Sequence, residues 1–447
     1  MRRLAVGLLL SALALAIYLQ NGRFNESTDT FGNELLPISI LEQGTLTFDQ
    51  YFSDQGVAPG SIPAEYAYRV SPELPNATLP WWFERIDNHV VTLYPIVPGL
   101  LNVPVFWAAK VAGVQLDLNV VPLTHITTSV IAALSVLFIF LCLVQICQLR
   151  TAAFLTLSFA FATAVWSHNS RSINQHGTAL LFITAALALL LARRPRLVPL
   201  AGLLLAVAVV TRPADLIVVA PIAVYVYRHH RHQFLPFVAL SSLPALLLAG
   251  YSWAYWGTPF ALGQGQGLSG FTAPEPAVAL LGLLVNPNRG LLVFSPIFLF
   301  AIGCYIWALR NRQGPPLLKY LAVSGVGLYL MYALWSDWAA GHSYGYRYLI
   351  EITPALILAI GVGWERIIQP RAHLRALFLV AMMASMYLHG LGAMASPCGF
   401  DDDPDNIDFN HVRLWDVATG EVARCTTKEL DAWSARLVAA DGQGSQT

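Results

Sequence analysis

Charged residues are scarce in this chain. Only 12% of the 447 residues are Asp, Glu, Lys or Arg, whereas 56% are hydrophobic; soluble domains carry roughly a quarter charged residues. The 26 basic and 26 acidic residues balance, so the chain lacks the basic excess of a nucleic-acid-binding protein and the acidic tail of a disordered one. The composition therefore predicts an all-α polytopic membrane protein without a nucleic-acid partner.

Several chemical motifs are missing as well. The first polar loop has no Asp-x-Asp, and the chain shows no His/Cys/Glu spacing of the zinc type, so no metal site is expected. There is no Walker loop, no Gly-x-Gly-x-x-Gly after a strand and no Gly-x-Ser-x-Gly. These absences argue against nucleotide-dependent chemistry and against a serine hydrolase.

Cysteine is also rare, with five residues. Cys142, Cys147 and Cys304 lie in apolar runs and are expected to pack as small hydrophobic residues. Cys398 and Cys425 lie in the polar C-terminal segment. If that segment is extracytoplasmic they can form a disulfide, and otherwise they are two thiols.

Apolar runs recur from one end of the chain to the other. Arg2 and Arg3 precede the first run, and no small-residue cleavage site precedes Asn21, which favours an anchored helix over a cleaved signal peptide. Either alternative sends Asn21 to the outside. The predicted spans are residues 4–20, 92–112, 121–147, 151–166, 177–192, 197–210, 215–228, 234–252, 290–309, 318–335, 348–367 and 374–396.

Basic clusters orient these spans, because short loops rich in Lys and Arg stay cytoplasmic. The clusters are Arg193, Arg194 and Arg196; Arg228 and Arg231; Arg310, Arg312 and Lys319; and Arg371 and Arg375. The loops between them, 166–176, 211–215, 253–290 and 335–351, are then outside, as is the tail. Twelve spans would instead return the tail to the cytoplasm. The discrepancy lies between His89 and Val121, so the prediction is about 11 to 13 spans.

The polar segments divide the chain. Residues 1–396 form the predicted transmembrane domain, within which residues 21–88 are a first extracytoplasmic loop. This loop is rich in proline and contains Trp81 and Trp82, which suits short interfacial helices. Residues 397–447 form a short extracytoplasmic tail, acidic and rich in turns, which is interpreted as a solvated cap.

The first loop opens with "NESTDTFGNELLPISILEQG", residues 25–44. If residues 30–41 form a helix, Thr28 or Asp29 caps it and Glu34 follows within the helix. The simplest interpretation is a cap with solvated acids. The alternative is a catalytic Asp29 just outside the first span, because polar groups at a helix end in a membrane protein are costly and often functional.

A later loop, "WSDWAAGHSYGYRYLIE" (335–351), combines an acid, a histidine, an arginine and several aromatic residues. Arg347 at a helix mouth can bind a phosphate in bidentate fashion. It can equally be a snorkelling arginine in an interfacial belt. Arg289, in "VNPNRGLLVFSP", has the same two interpretations.

These pieces together resemble the GT-C superfamily of membrane glycosyltransferases, in particular the protein mannosyltransferases and the lipid A aminoarabinose transferase. The segments that carry the resemblance are "DTFGNELLPISILEQG", "LYPIVPGLLNVPVFW", "SHNSRSINQHGTALL", "TRPADL", "NPNRGLLVFSP" and "GHSYGYRYL". Each is short, and the ordered set covers most of residues 1–370. The resemblance implies a GT-C-like bundle with interfacial helices in its first outer loop.

The resemblance also implies the chemistry. The enzyme would be an inverting transferase in the cell (inner) membrane that moves a hexose or pentose from a polyprenyl-phosphate donor to a glycan, lipid or protein hydroxyl at the outer face. It would need no cofactor or metal beyond the lipid-linked co-substrate. Asp29 would be the general base. Arg347 and Arg289, then Arg171 or Arg212, would bind the donor phosphate. Substrate contacts are expected from Glu34, His89, Tyr94, His176, Asp337, His342, Tyr344 and Tyr348.

Two departures from the family pattern stand out. Relatives often have a lysine beside the second-span prolines, where this chain has Tyr94 before Pro95, so that phosphate contact is missing or supplied elsewhere. Many relatives also have a large soluble C-terminal domain, and the tail here is short. Two other functions remain open: a flippase for lipid-linked glycans, and an oligosaccharide polymerase or ligase with a lipid pyrophosphate donor.

Overall fold

The computed structural model describes residues 2–21, 28–53, 56–57, 79–80, 82–259, 270–272 and 274–444. Trp81 and the proline-rich segment 58–78 of the first loop lie outside the described residues. The α-helices of the first third are α1 (Arg2–Tyr18), α2 (Phe31–Ile38), α3 (Val97–Val111), α4 (Val120–Leu143) and α5 (Leu149–Phe161). Next come α6 (Gln175–Leu191), α7 (Val198–Thr211), α8 (Leu216–His229), α9 (Arg231–Trp256), α10 (Pro276–Val285) and α11 (Leu291–Phe294). The last are α12 (Phe298–Arg310), α13 (Leu317–Ala333), α14 (Thr353–Gly363), α15 (Ala372–Ala395) and α16 (Glu421–Gly444).

The first and fourth helices are antiparallel neighbours. Ser11 Oγ donates to Ala133 O at 2.7 Å, and the His125 ring lies 3.1 Å from Tyr18 O. The C-terminus of α1 and the N-terminus of α4 therefore share one end of the bundle, here called the loop end because residues 28–53 and 82–119 lie there. Arg3, at the start of α1, donates to Val144 O at the opposite end.

Helix α3 corrects the predicted span 92–112, because it does not cross the bundle. Gly99 N donates to Asn33 Oδ1 at 2.9 Å, and Lys110 Nζ donates to Leu41 O at 2.7 Å. Both halves of α3 thus lie against the segment of α2, at the loop end. This removes one predicted crossing between His89 and Val121. With it goes the discrepancy between the number of spans and the side of the tail that the basic clusters indicate.

Eleven of the described helices run between the two ends in alternating directions: α1, α4 to α9 and α12 to α15. Within the described residues, four helical segments are long and apolar enough to cross a membrane by length and composition: Val120–Leu143, Arg231–Trp256, Arg347–Ile368 and Ala372–Ala395. The other crossing helices have 13 to 17 residues. The protein is a multi-pass helical membrane protein, and an odd number of crossings leaves its two termini at opposite ends.

Two further boundaries differ from the prediction. The predicted span 290–309 is broken: α11 ends at Phe294, and α12 begins only at Phe298, after Pro296. A proline lacks the backbone N–H that a continuous helix needs. The loop predicted over 253–290 contains α10, whose apolar sequence packs against α13; for example, Tyr329 Oη donates to Leu280 O at 2.7 Å.

The first loop has a hydrophobic core of its own. Helix α2 is buried along its whole length, and Phe31, Phe48 and Phe83, which pack together, are 0%, 0% and 4% exposed. The loop also contains strands that the sequence did not predict, β1 (Phe52–Ser53) with β2 (Gly56–Val57) and β3 (Phe83–Ile86) with β4 (His89–Thr92), each pair antiparallel. The expected interfacial helices are therefore part of a folded cap.

The C-terminal segment is attached to the same end. Cys398 and Cys425 form a disulfide, which links the segment after α15 to α16. Of the two alternatives for these cysteines, a disulfide or two thiols, the structure shows the disulfide. Cys142 and Cys304 are buried among apolar residues as expected, and Cys147 is partly buried.

Candidate active site

Asp29 and Arg347 meet at the loop end, although 318 residues separate them in the sequence. Asp29 lies in a short 3-10 turn, Thr28–Thr30, just before α2. Arg347 begins another, Arg347–Ile352, that leads into α14. The Arg347 guanidinium donates to Asp29 Oδ2, and Tyr94 Oη donates to Asp29 Oδ1 at 2.9 Å. The side chains of Asp29 and Arg347 are 18% and 14% exposed, so this contact is within reach of a ligand.

The environment of Asp29 holds its carboxyl group in the ionised form. Burial on its own raises the pKa of Asp29, but the Arg347 guanidinium, the Tyr94 hydroxyl and His176 together outweigh it, and the pKa falls below the ordinary value. A carboxylate stabilised in this way is a weak base for as long as the ion pair lasts.

A second, deeper group of polar side chains lies behind this pair. Glu351 follows Arg347 by one helical turn, and its Oε1 lies 2.8 Å from His176 Nδ1 and 3.2 Å from the Arg212 guanidinium. Arg212 also donates to Asp215 Oδ1 at 2.8 Å. All four side chains are at most 5% exposed. Because a carboxylate oxygen can only accept, His176 Nδ1 carries the hydrogen and Nε2 of the neutral ring is an acceptor.

Aromatic rings complete the wall of the deeper group. The ring of Tyr348 stacks on that of Tyr332 with centroids 4.0 Å apart, and it lies 6.1 Å from the ring of His176. The Arg212 guanidinium donates to Tyr332 Oη. The Arg212 guanidinium is thus held in place by Asp215 and Tyr332, in contact with Glu351.

The local sequence explains why these side chains converge. Asn174 caps α6 by accepting from Gly177 N at 2.7 Å, which places His176 in the first helical turn at the loop end. Pro213–Asp215 forms a tight 3-10 turn between α7 and α8, so Arg212 and Asp215 fall at the same end. Alternating helix directions then bring α6, the α7–α8 turn, the end of α13 and the start of the α14 segment together.

Two of the arginines predicted to bind phosphate instead bind other parts of the protein. Arg289 donates to the backbone carbonyl groups of Ala339 and Gly341 and to the carboxylates of Asp401 and Glu421 at 2.8 and 2.9 Å. Arg289 is thus surrounded by the C-terminal segment. These contacts do not support a role for Arg289 as a phosphate ligand.

Arg171 is engaged in the same manner. Its guanidinium donates to Gly392 O at 2.8 Å and to Ser396 O, and it is fully buried. It therefore connects the segment before α6 to the end of α15. Among the contacts that the structure describes for the four predicted phosphate ligands, the one that reaches Asp29 is made by Arg347.

We expect Arg289→Ala to release the C-terminal segment. The substitution removes the cation that contacts the buried Glu421 carboxylate and the partly buried Asp401 carboxylate. Breaking one partner of a buried ion pair costs about 3–5 kcal/mol. Limited proteolysis followed by mass spectrometry should show new cleavage after residue 396. The double variant Arg289→Met with Glu421→Gln should restore protection. Protection of the single variant, coupled with lost binding of polyprenyl phosphate, would contradict the structural role.

Two predicted substrate contacts in the first loop are elsewhere. Glu34 is buried inside α2 and accepts from Thr30 Oγ1 at 2.6 Å. His89 lies on β4, where its Nδ1 is 2.9 Å from Asp49 Oδ2 and its side chain is 57% exposed. The contacts of Glu34 and His89 thus stabilise the folded cap, and neither contacts Asp29.

The predicted site residues of the loop 335–351 have different surroundings. Burial, and next the charge of Asp408, raise the pKa of Asp337 to about 6, while Arg347 opposes the shift. Asp337 is therefore within electrostatic range of the site. His342 is half-exposed and lies 3.6 Å from Asp408. Tyr344 donates to Leu388 O at 2.7 Å and packs in the core with α15.

Sequence reasoning missed several members of the site. Glu351 and Tyr332 lie in runs predicted to span, Asp215 lies in "TRPAD" and His168 lies in "SHNSRSINQHGTALL", and none of the four is among the predicted site residues. A lone carboxylate in an otherwise apolar run is a functional signal by itself, and this signal would have identified Glu351. Among the described residues, no three His, Cys, Asp or Glu side chains are grouped as metal ligands.

Three solved structures share this architecture. All are crystal structures of the oligosaccharyltransferase from Archaeoglobus fulgidus: one is tethered through a disulfide to an acceptor peptide containing the NVT sequon, one is a complex with Zn and sulfate, and one is the apo form. The TM-scores are 0.55, 0.54 and 0.54 at 14%, 13% and 14% identity. The alignments cover 92%, 92% and 94% of this chain.

The chain spans 59%, 57% and 60% of the length of those proteins. No family model matches the sequence, and no curated protein does. At such low identity the similarity concerns the fold. The resemblance that the sequence motifs indicated is confirmed at this level: the chain has a GT-C-like helical fold.

Proposed function

We propose that this protein is an inverting glycosyltransferase that moves a sugar from a polyprenyl-phosphate donor to an acceptor hydroxyl. One observation carries the proposal: a carboxylate and a guanidinium that are 318 residues apart in the sequence meet at the loop end of a GT-C-like fold. The carboxylate can take a proton, and the guanidinium can hold a phosphate. These are the two tasks that such a transfer requires.

The proposed reaction has a single displacement. The acceptor oxygen attacks the anomeric carbon of the sugar from the face opposite the phosphate, and the hydroxyl proton passes to Asp29. The bond between the anomeric carbon and the phosphate oxygen breaks, and its electron pair stays on polyprenyl phosphate. Because phosphate is a good leaving group, one carboxylate suffices where a glycosidase uses two. The products are a glycoside of inverted configuration and polyprenyl phosphate.

Arg347 has two successive partners in this scheme. Without donor it is paired with Asp29, which lowers the pKa of Asp29. The donor phosphate competes with Asp29 for the same guanidinium, since both are anionic oxygen acceptors. Once the phosphate has taken Arg347, Asp29 loses its main counter-charge and its basicity rises. The proposal therefore includes an order of binding, with the donor before the acceptor.

The deeper group supports this exchange. Arg212 is held by Asp215, Glu351 and Tyr332, so we assign it to positioning Glu351 and not to a phosphate contact. Tyr94 occupies the place where relatives carry a lysine, and it donates to Asp29. Its hydroxyl can keep Asp29 oriented after Arg347 has turned to the phosphate.

The membrane orientation follows from charge. The basic clusters at residues 193–196, 228–231, 310–319 and 371–375 lie at the end opposite the site. The rule that such loops stay cytoplasmic supports a site at the outer face of the cell (inner) membrane. The acceptor would be a glycan, lipid or protein; the peptide-tethered oligosaccharyltransferase with the same fold is an argument for a peptide or glycan.

The other candidate functions have less support. A flippase should carry polar groups near the middle of the bilayer, whereas the polar groups of this site gather at one end of the bundle. A polymerase or ligase with a pyrophosphate donor would need to accommodate a second phosphate. The similarity to an oligosaccharyltransferase is the observation in its favour, and the experiment below includes that donor class.

The test is a transfer assay with purified protein in lipid nanodiscs. Polyprenyl-phosphate sugars (mannose, glucose, galactose, ribose and aminoarabinose) and one polyprenyl-pyrophosphate sugar are each incubated with simple glycoside and peptide acceptors. We expect one monophosphate donor to release polyprenyl phosphate and give a product of inverted anomeric configuration. Turnover of the pyrophosphate donor alone would reject the proposed donor class, and translocation without release of the sugar would reject a transferase.

A further inference from the structure

Several buried polar atoms behind the Asp29–Arg347 pair have no hydrogen-bond partner among the described residues. They include both ring nitrogens of His168, Oε2 of Glu351 and Nε of Arg347. His168 and Glu351 are each 2% exposed. The ring of His168 lies 6.0 Å from that of His176, whose Nδ1 contacts the other oxygen of Glu351. His168 and Glu351 are thus both neighbours of His176.

Burying an unpaired polar atom costs free energy, so such a group calls for an explanation. The same bundle contains a buried histidine that is fully satisfied. His389 is 0% exposed, and its two nitrogens lie 2.8 Å from Ser167 Oγ and 2.9 Å from Ser295 Oγ. The fold is thus able to satisfy a buried histidine, and His168 is the exception to this.

The chemistry of the unpaired atoms indicates what can satisfy them. Burial, and then the charges of Arg347, His176 and Arg171, lower the pKa of His168 well below its ordinary value. His168 is therefore neutral and offers one donor and one acceptor. The Glu351 oxygen is an acceptor and the Arg347 Nε–H is a donor. Neighbouring hydroxyl groups, each a donor and an acceptor, match this set, whereas a second anion would meet the Glu351 carboxylate.

We propose that His168, Glu351 and the Nε–H of Arg347 form a hydroxyl subsite that binds the sugar ring of the lipid-linked donor. The inference rests on the proposed function, and it adds the position of the donor sugar in the site. The guanidinium of Arg347 joins the two places, because one terminal nitrogen contacts Asp29 and Nε has no acceptor among the residues that the structure describes. A phosphate on Arg347 would thus hold the attached sugar near His168 and His176, with its anomeric carbon close to Asp29.

The first experiment compares two buried histidines without any ligand. His168→Leu removes unpaired polar atoms and should leave the thermal unfolding midpoint of the purified protein unchanged or higher. His389→Leu, the matched control, removes two hydrogen bonds and should lower it. If His168→Leu lowers the midpoint as much as His389→Leu does, His168 is satisfied by ordered water or by the protein, and the subsite is rejected.

The second experiment separates the sugar from the phosphate. Binding of unmodified polyprenyl phosphate and of polyprenyl-phosphate mannose, glucose, galactose, ribose and aminoarabinose is measured in nanodiscs. The wild type should bind at least one sugar-bearing lipid about tenfold or more tightly than bare polyprenyl phosphate. His168→Leu should lose that advantage and keep its affinity for bare polyprenyl phosphate, whereas Arg347→Ala should lose affinity for both.

The outcomes distinguish the two proposals. Equal wild-type affinity for bare and sugar-bearing lipids, or an advantage that survives in His168→Leu, overturns the hydroxyl subsite and leaves the transferase proposal standing. Failure of the wild type to bind any of these lipids overturns the proposed function and the subsite with it.

Discussion

Asp29→Asn should lower the rate of sugar transfer by about 10²–10⁴-fold, the range for loss of a positioned general base. Asparagine has nearly the same shape as aspartate, but its amide cannot take the acceptor proton. Donor binding should become tighter, because the anion that competes for Arg347 is gone. The measurements are release of polyprenyl phosphate under saturating donor and equilibrium binding of the same donor. Tighter binding together with slower transfer is a combination that simple misfolding does not produce.

Asp49→Asn is the matched control. Asp49 belongs to the same loop, is ionised by its contacts with His89 and the backbone of Val90, and does not contact Arg347. Its substitution should leave transfer within about twofold of the wild type, as for a partly exposed surface pair. Undiminished transfer by Asp29→Asn would rule out the assigned base, and a comparable loss in Asp49→Asn would indicate that the effect arises from loop stability.

Arg347→Ala should reduce kcat/KM for transfer by about 10²–10³-fold, as expected for removing one group that stabilises developing negative charge. The departing phosphate would lose its cation, and Asp29 would lose its counter-charge. The pKa of Asp29 should therefore rise toward or above its ordinary value, since burial is then opposed by the smaller effects of Tyr94 and His176. The acid limb of the pH–rate profile should accordingly move to higher pH.

Arg424→Ala provides the comparison for this prediction. Arg424 lies in the C-terminal segment, where it pairs with Asp403 at 2.8 Å. Its loss should change neither the rate of transfer nor the pH–rate profile. Because Asp29 and Arg347 act as one unit, the double variant should be far less impaired than the product of the two single losses. Fully multiplicative losses, or an unmoved acid limb in Arg347→Ala, would show that the two residues act independently.

The arrangement of the helices was largely predictable, because apolar length and loop charge are local properties of the sequence. The exception is α3. Residues 97–111 are as apolar as a span, yet they lie against α2, where Gly99 allows the close approach: an added Cβ would lie 2.8 Å from a Leu36 methyl group. Hydropathy does not distinguish a helix that faces lipid from one that lies under a folded loop.

The site was predictable in part. Asp29 and Arg347 were singled out because each is a costly polar group next to a span, but nothing local pairs residue 29 with residue 347. Arg289 and Arg347 look alike in sequence, each in a polar stretch just before a helix. Only the fold shows that the first is surrounded by acidic residues of the C-terminal segment while the second faces Asp29.

The sequence by itself determined that this protein needs a membrane, that its helices alternate in direction and at which end of the bundle the polar residues lie. Each of these properties depends on the composition of short stretches of sequence, so it can be predicted from the sequence alone. The tertiary structure alone decided which anion each arginine binds, which histidine is left unsatisfied and which apolar helix does not cross. Those outcomes depend on contacts between residues hundreds of positions apart, and the free energy of such contacts is set by burial and geometry that no local stretch specifies.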